Sequence, residues 1–240
     1  MKSEKEQIIR VIARIHTEYP QKFGIPRQSG METATEAVIV FEPPFRNPDA
    51  VRGLEDFSHI WVLWQFSKAQ RANGEWSPTV RPPRLGGNQR MGVFATRSPF
   101  RPNAIGLSSL RLKEIVYTEN VGPILKVVGA DMLDNTPIYD IKPYLKFTDS
   151  HPNAVCGFAD EHESDRLLVD FSSDSIMNAP MEVLKKLESV LSMDPRPSYQ
   201  DDPNRKYKMT AMGYDISFHV SGGKLTVDFL KPIDDTQKGK

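Results

Sequence analysis

The sequence predicts a mainly β protein, with a β-barrel-like N-terminal domain over residues 1–150 and a small α+β C-terminal domain over residues 151–240. Three observations point that way. Short runs rich in β-branched residues recur through the first 150 residues, each ending at a turn built from the chain's 19 prolines and 15 glycines. No long stretch there shows the 3.6-residue apolar period of a helix, which disfavours a doubly wound α/β domain. A polar segment of mixed charge, residues 149–164, then leads into a region with a clear helix and a hairpin signal.

Residues 8–15 and 34–41 read as strands. The segment between them, residues 19–30, holds Pro20, Gly24, Pro26 and Gly30 and can continue neither, so it is a structured loop. Pro43, Pro44, Asn47 and Pro48 break the chain before a short turn or helix at residues 51–54 and a strongly apolar strand at residues 60–66, which Asn73-Gly74 closes. Residues 91–95 make another strand candidate, followed by an irregular piece, 96–106, and a strand at 107–117 in which Leu110 and Leu112 alternate ahead of Ile115 and Val116. Residues 124–130 continue the series, and residues 131–143 form a loop with a short strand. Further on, residues 180–193 give the best helix: Met181, Leu184, Leu187, Val190 and Leu191 form an apolar stripe that reads as core packing, with Asn178 as candidate N-cap. Asp194-Pro195-Arg196-Pro197 stops it. Residues 213–220 and 224–230 flank Ser221-Gly222-Gly223, a hairpin signal, and residues 234–240 should fray.

At 240 residues the chain can bury a full core. Its 31 basic residues balance 31 acidic ones, which argues against indiscriminate coating of nucleic acid and leaves a local site open. Cys156, the one cysteine, can form neither an internal disulfide nor a thiolate metal cluster and reads as structural. The charged start, residues 1–7, does not resemble a signal peptide, and apolar runs such as 37–41 and 60–64 are too short to cross a bilayer. A soluble, cytoplasmic protein without membrane association is expected.

The charges are unevenly spread. Residues 1–150 hold 20 Lys and Arg against 16 Asp and Glu, whereas residues 151–240 hold 11 against 15. From Trp76 to Lys113 stand Arg81, Arg84, Arg90, Arg97, Arg101, Arg111 and Lys113 without a single carboxylate. A solvated face mixes both signs and favours Lys. A run almost wholly of Arg, threaded with Pro, Gly, Asn and Ser, points instead to an anionic partner, nucleic acid or a charged small molecule, because the guanidinium fork matches phosphate and carboxylate.

Three loops combine a rigid backbone with polar reach: Phe23-Gly24-Ile25-Pro26-Arg27-Gln28-Ser29-Gly30, residues 95–107 around Arg97-Ser98-Pro99-Phe100-Arg101-Pro102, and residues 131–144 beginning Asp131-Met132-Leu133-Asp134. A GxGxxG fingerprint is absent, since Gly86-Gly87 lies among arginines with no helix pattern after it. Ser98 has no nucleophile-elbow context. His59, just before an apolar strand, reads as a satisfied core or turn histidine, while His16 faces the opening loop and is the better functional candidate. Without a second His or Cys at ligand spacing, and with Asp131, Asp134 and Asp140 insufficient for magnesium, no metal site is expected. By composition alone the loops suit an enzyme, a nonenzymatic RNA- or nucleotide-binding module, or long turns of a β protein.

The first loop, with Phe41-Glu42-Pro43-Pro44-Phe45-Arg46, Leu54-Glu55-Asp56-Phe57-Ser58-His59-Ile60-Trp61, residues 92–107 and residues 131–144, closely resembles the TrmO family, also called TsaA-like or YaeB. These segments cover most of residues 8–145 in order. Residues 191–199 and 207–218 resemble the small C-terminal domain of the family's full-length bacterial form. The resemblance implies an S-adenosyl-L-methionine-dependent tRNA N6-methyltransferase, its cofactor site built on a β-barrel and shared across a homodimer. The implied reaction moves the methyl to N6 of the N6-threonylcarbamoyladenosine at tRNA position 37, beside the anticodon, producing N6-methyl-N6-threonylcarbamoyladenosine.

Position by position, the resemblance places the cofactor near Pro26, Arg27 and Gln28, near Ser67 and Lys68, near Arg97 and Leu107, and along Asp131, Met132, Leu133 and Asp134. Arg97 would orient the cofactor carboxylate. Asp131 and Asp134 would be the catalytic pair, offering acceptors to the cofactor or to the acceptor amine. Methyl transfer to nitrogen needs an in-line approach and loss of a proton, so positioning should contribute more than strong base catalysis. Arg84, Arg90 and Arg101 are candidate contacts to tRNA phosphates, and the modification's own carboxylate offers another partner for Arg27 or Arg101. The implied partner is threonylcarbamoylated tRNA, threonine tRNA among the candidates. The alternative is a nonenzymatic RNA- or nucleotide-binding module using the same arginine loops.

Overall fold

The computed structural model describes residues 7–68, 76–82, 89–162, 166–171, 176, 179–196 and 202–233. In chain order, β1 (Ala13–His16), β2 (Glu36–Phe41) and β3 (His59–Gln65) come first. The two-residue strands β4 (Thr79–Val80) and β5 (Met91–Gly92) pair as a separate ribbon, and β6 (Ile105–Thr118), β7 (Gly122–Val128) and β8 (Thr136–Pro143) follow. Six of these close into a barrel in the order β1-β2-β7-β6-β3-β8, every pairing antiparallel.

The two-residue strand period fills the barrel. Ala37, Ile39 and Phe41 of β2 and Ile60, Val62 and Trp64 of β3 face inward and are buried, as are Leu110, Leu125, Val127 and Ile138 on the neighbouring strands. Closure removes the exposed edges of the sheet. One pairing is sterically exacting: Trp64 lies opposite Gly106, and a β-carbon on Gly106 would overlap the indole ring. Only glycine lets that ring lie flat over β6.

Three elements differ from the sequence reading. The run from residue 8 joins the barrel only at Ile12, whose N–H donates to the Ile138 carbonyl at 2.8 Å, and Ile8 is 90% exposed. The reason is register: Ala13 faces Phe41, the last residue of β2. Residues 91–95 form a strand for two residues and then a 3-10 turn, Val93–Ala95. The short strand expected within residues 131–143 is eight-residue β8, which closes the barrel between β1 and β3.

After a single helical turn, α1 (Lys146–Asp149), the chain builds a second unit from β9 (Leu168–Asp170), α2 (Met181–Leu191), β10 (Tyr207–Ala211), β11 (Tyr214–Ser221) and β12 (Lys224–Pro232). The sheet order is β10-β11-β12-β9, with β9 parallel to β12. Leu187, Val190 and Leu191 are buried, so the apolar stripe of α2 packs into the core. Pro180 occupies the N-cap position, and Asn178 lies outside the described residues. Both hairpins turn on two residues with positive φ, Met212-Gly213 and Gly222-Gly223, the backbone that matches the twist of the flanking strands. Strand β10 went unforeseen, although Tyr207, Met209 and Ala211 alternate as buried residues. Cys156 is exposed, which corrects its structural reading.

The first loop joins the two units. Tyr19, Phe23 and Ile25 pack with Tyr207, Met209 and Phe218 in the core of the second sheet. Glu18 accepts from Lys186 Nζ of α2 at 3.0 Å. Packing thus crosses the division at residue 150.

The Trp64–Gly106 contact generates a prediction. G106A should lower unfolding stability by about 1–3 kcal/mol through overpacking, measured by denaturant titration; an unchanged midpoint would contradict the contact.

Candidate functional site

At one mouth of the barrel a buried polar chain begins. Ser108 faces inward from β6 and is fully buried. Its Oγ accepts from Trp64 Nε1 at 2.9 Å and donates to Asp131 Oδ1 at 2.6 Å. A hydroxyl inside an apolar barrel is costly unless bonded, and here both its roles are filled. The backbone N–H of Ser29 also acts on the Asp131 carboxylate, favouring its charged form. Ser29 Oγ in turn accepts from Ser109 N at 3.2 Å, and Gly30 N donates to the Gly129 carbonyl at 2.9 Å. The first loop is therefore pinned across the mouth.

The Arg97 guanidinium donates to Gln28 Oε1, and its charge acts on Asp131. Burial pushes the Asp131 carboxyl above the usual carboxylate range, opposed by the hydrogen bonds from Ser108, its own backbone and Ser29 and then by Arg97. Gln28, Arg97 and Asp131, from three separate loops, thus meet at one place. A cation, an amide and a carboxylate in that arrangement suit a ligand carrying both a carboxylate and an ammonium or hydroxyl group.

Asp134 stands at the start of the same loop complex. Its Oδ1 accepts from Thr17 N at 3.1 Å and lies 3.4 Å from His16 Nδ1, and both side chains are about half exposed. His16, the better functional candidate of the two histidines, therefore adjoins one of the expected catalytic carboxylates. The side chains of Met132 and Leu133 are buried, and their carbonyls accept from Thr17 Oγ1 at 3.1 Å and Thr136 Oγ1 at 2.7 Å. Pro26 is buried, and Arg27 donates to the carbonyls of Asp194 and Arg196, fastening the loop to the segment after α2. Ser67 and Lys68 follow β3 on the surface, where the Lys68 carbonyl accepts from Lys22 of the first loop.

Leu107 lies apart from this group. It sits between Gly106 and Ser108 and so projects from the outer face of the barrel, 55% exposed. There it lines a concavity of about 370 Å³ with Trp61, Leu63, Lys142 and Asp149. Arg101 donates to the carbonyls of Thr96 at 3.1 Å and Ser98 at 3.4 Å, bracing the Arg97 loop. Arg90 is exposed just before β5, and Arg84 lies outside the described residues. His59, the first residue of β3, has its Nδ1 2.9 Å from Ser58 Oγ. Among the described residues no three His, Cys, Asp or Glu side chains are grouped to hold a metal ion.

Sequence reasoning missed Ser108, Trp64 and Ser29. A signal for the first was available: the two-residue period that buries Leu110 also buries Ser108, and a polar residue at an inward position needs partners.

Comparison with known proteins covers nearly the whole chain. The family model described as the tRNA-methyltransferase O N-terminal domain matches residues 14–150, and the TrmO C-terminal domain matches residues 166–233. A tRNA (adenine(37)-N6)-methyltransferase of Escherichia coli (strain K12) is 39% identical over 231 residues, spanning 92% of this chain and 96% of that protein. A putative S-adenosylmethionine-dependent methyltransferase, RcsF, of Pseudomonas aeruginosa (strain PAO1) is 37% identical over 216 residues, spanning 87% and 90%. The crystal structure of TrmO from P. aeruginosa superposes with a TM-score of 0.75 at 29% identity, covering 97% of this chain and all of that one.

The buried carboxylate generates a second prediction. Because the folded-state pKa of Asp131 is raised, the folded protein holds the proton more tightly than the unfolded chain, and stability attributable to this group falls as pH rises through that window. D131N removes the buried charge and should melt no lower than wild type at neutral pH, with a smaller decline in melting temperature from acid to neutral pH. A clear drop in melting temperature at neutral pH would contradict the assignment.

Proposed function

We propose that this chain, which belongs to the tRNA-methyltransferase O (TrmO) family and is a tRNA adenine N6-methyltransferase, takes its methyl group from S-adenosyl-L-methionine and places it on the N6-threonylcarbamoyladenosine at tRNA position 37. The product is N6-methyl-N6-threonylcarbamoyladenosine. The observation that supports this reading best is the meeting of Gln28, Arg97 and Asp131 at the barrel mouth.

The donor set fits the cofactor. Arg97 offers a guanidinium to a carboxylate, and Asp131 offers acceptors to an ammonium or to ribose hydroxyls. Gln28 holds Arg97, while Ser108, itself fixed by the Trp64 indole, holds Asp131, so neither group must reorganise on binding. Pro26 and Arg27 keep the loop backbone in place, Met132 and Leu133 contribute backbone groups, and Ser67 and Lys68 border the same loop. Leu107 offers an apolar surface for an adenine ring, but from the outer face of the barrel. A second copy of the chain would bring its Leu107 to the mouth, so we read the enzyme as a homodimer with a shared site.

When bound, S-adenosylmethionine supplies an electrophilic sulfonium methyl. The chain's own work is orientation and proton acceptance. Asp134, fixed by Thr17 and adjoining His16, is placed to take the proton lost from N6, and Asp131 is the second candidate. Arg90 and Arg101 contact tRNA phosphates, a role also assigned to Arg84 beyond the described residues. We read the enzyme as cytoplasmic, where its tRNA substrate is found; among the described residues no helix is long and apolar enough to cross a membrane.

Purified protein incubated with labelled S-adenosylmethionine and tRNA bearing or lacking the threonylcarbamoyl group should label N6 only in the modified tRNA, as located by nucleoside mass spectrometry. Equal labelling of both tRNAs would remove the proposed requirement, and no labelling of either would favour a nonenzymatic binding module. R97A should weaken cofactor binding by roughly 10- to 100-fold, the range expected for a lost charged hydrogen bond. Unchanged cofactor affinity would reject its role.

A further inference from the structure

We propose that Trp76 and Phe94 form a stacking platform for an unpaired base of the substrate tRNA, one beside the target adenine. The inference rests on the activity proposed above and adds a recognition surface to it. The two rings lie beside one end of the β4–β5 ribbon, Trp76 ahead of β4 and Phe94 in the 3-10 turn after β5. Trp76 is 49% exposed and Phe94 is 71% exposed, and their ring centroids lie 6.1 Å apart with planes inclined by 30°. Neither ring is buried by the contact, so each still presents a broad apolar surface to solvent.

The presentation of Phe94 is built into the backbone. Val93, 1% exposed, anchors the 3-10 turn, and its N–H donates to the Pro78 carbonyl at 2.9 Å, tying the turn to the segment that follows Trp76. Thr96 N closes the turn on the Val93 carbonyl at 3.2 Å. With Val93 pinned inward, the next side chain is held outward.

The charge around the rings selects the partner. Arg101 holds its guanidinium 6.0 Å from the Phe94 ring centroid while donating to the carbonyls of Thr96 and Ser98. Arg81 and Arg90 are exposed together at the far end of the two-residue ribbon from the rings, and no carboxylate occurs from Trp76 to Lys113. Exposed aromatic faces among arginines match single-stranded nucleic acid, whose bases stack on the rings while its phosphates meet the guanidinium groups. Phe94 is three residues before Arg97, a backbone span of at most about 11 Å. Three stacking steps of about 3.4 Å each cover about that distance. The ring pair is therefore within reach of a neighbour of the methylated base.

Steady-state methylation with W76A, F94A, W76F and F94Y tests the platform. Each alanine variant should lose roughly tenfold in kcat/KM for tRNA, in line with loss of one base–aromatic stack, through a higher KM. Their S-adenosylmethionine titrations should match wild type, and the aromatic replacements should restore tRNA use. Quenching of tryptophan emission by an anticodon stem-loop RNA should be present in wild type and lost in W76F. Alanine variants with wild-type tRNA kinetics would overturn the proposal, as would a change from dimer to monomer in sedimentation of W76A with quenching intact in W76F, which would make the patch a contact between subunits. If the wild-type protein transfers no methyl, the activity reading fails on its own, and quenching by the stem-loop then decides the platform alone.

Discussion

The hydrogen bond from Ser108 to Asp131 is the interaction on which the site depends, because it fixes a carboxylate at the barrel mouth through partners supplied by the barrel wall. It exists only because the register of β3 against β6 brings Trp64 over Gly106 and turns Ser108 inward to receive the indole N–H. A displacement of that register by one residue would carry Ser108 to the outer surface and leave Asp131 without its buried donor. The apolar residues that close the barrel thereby set the chemistry of its rim.

The second dependency runs through the first loop. Its early residues, Tyr19, Phe23 and Ile25, are core residues of the C-terminal sheet, whereas Gln28 and Ser29 touch Arg97 and Asp131. Arg27, between these two sets, holds the carbonyls after α2. At the loop's root, the Tyr19 hydroxyl meets Thr35 Oγ1 at 2.9 Å and Glu32 at 3.3 Å, and burial beside Glu32 keeps the phenol neutral far above its ordinary titration range. The C-terminal unit thus packs against and anchors the loop that frames the candidate site.

Much of this was legible in the sequence. The two-residue period marked most of the barrel strands, the apolar stripe of residues 181–191 marked the helix, and Gly222-Gly223 marked a hairpin. The arginine-rich, carboxylate-free stretch marked a candidate side for an anionic partner. What escaped depended on long-range pairing. The early exposure of Ile8 follows from where β2 ends, and no local pattern announces that. Strand β10, by contrast, carried a short local signal, the alternation of Tyr207, Met209 and Ala211, that the sequence reading passed over. Within the site, Arg97 and Asp131 were named from motif resemblance, but their meeting through Gln28, Ser29 and Ser108 is a product of the closed barrel. Leu107 was named as a cofactor contact without any hint that the alternation of β6 turns it away from Ser108.

The most direct measurement is a crystal structure of the protein with S-adenosylhomocysteine, the demethylated cofactor. The account predicts its amino-acid end at the barrel mouth, with the carboxylate against Arg97, an oxygen or nitrogen of the ligand on Asp131, and the Ser108–Asp131 hydrogen bond intact. Ligand density elsewhere on the molecule, with Gln28, Arg97 and Asp131 making no contact to it, would contradict the account.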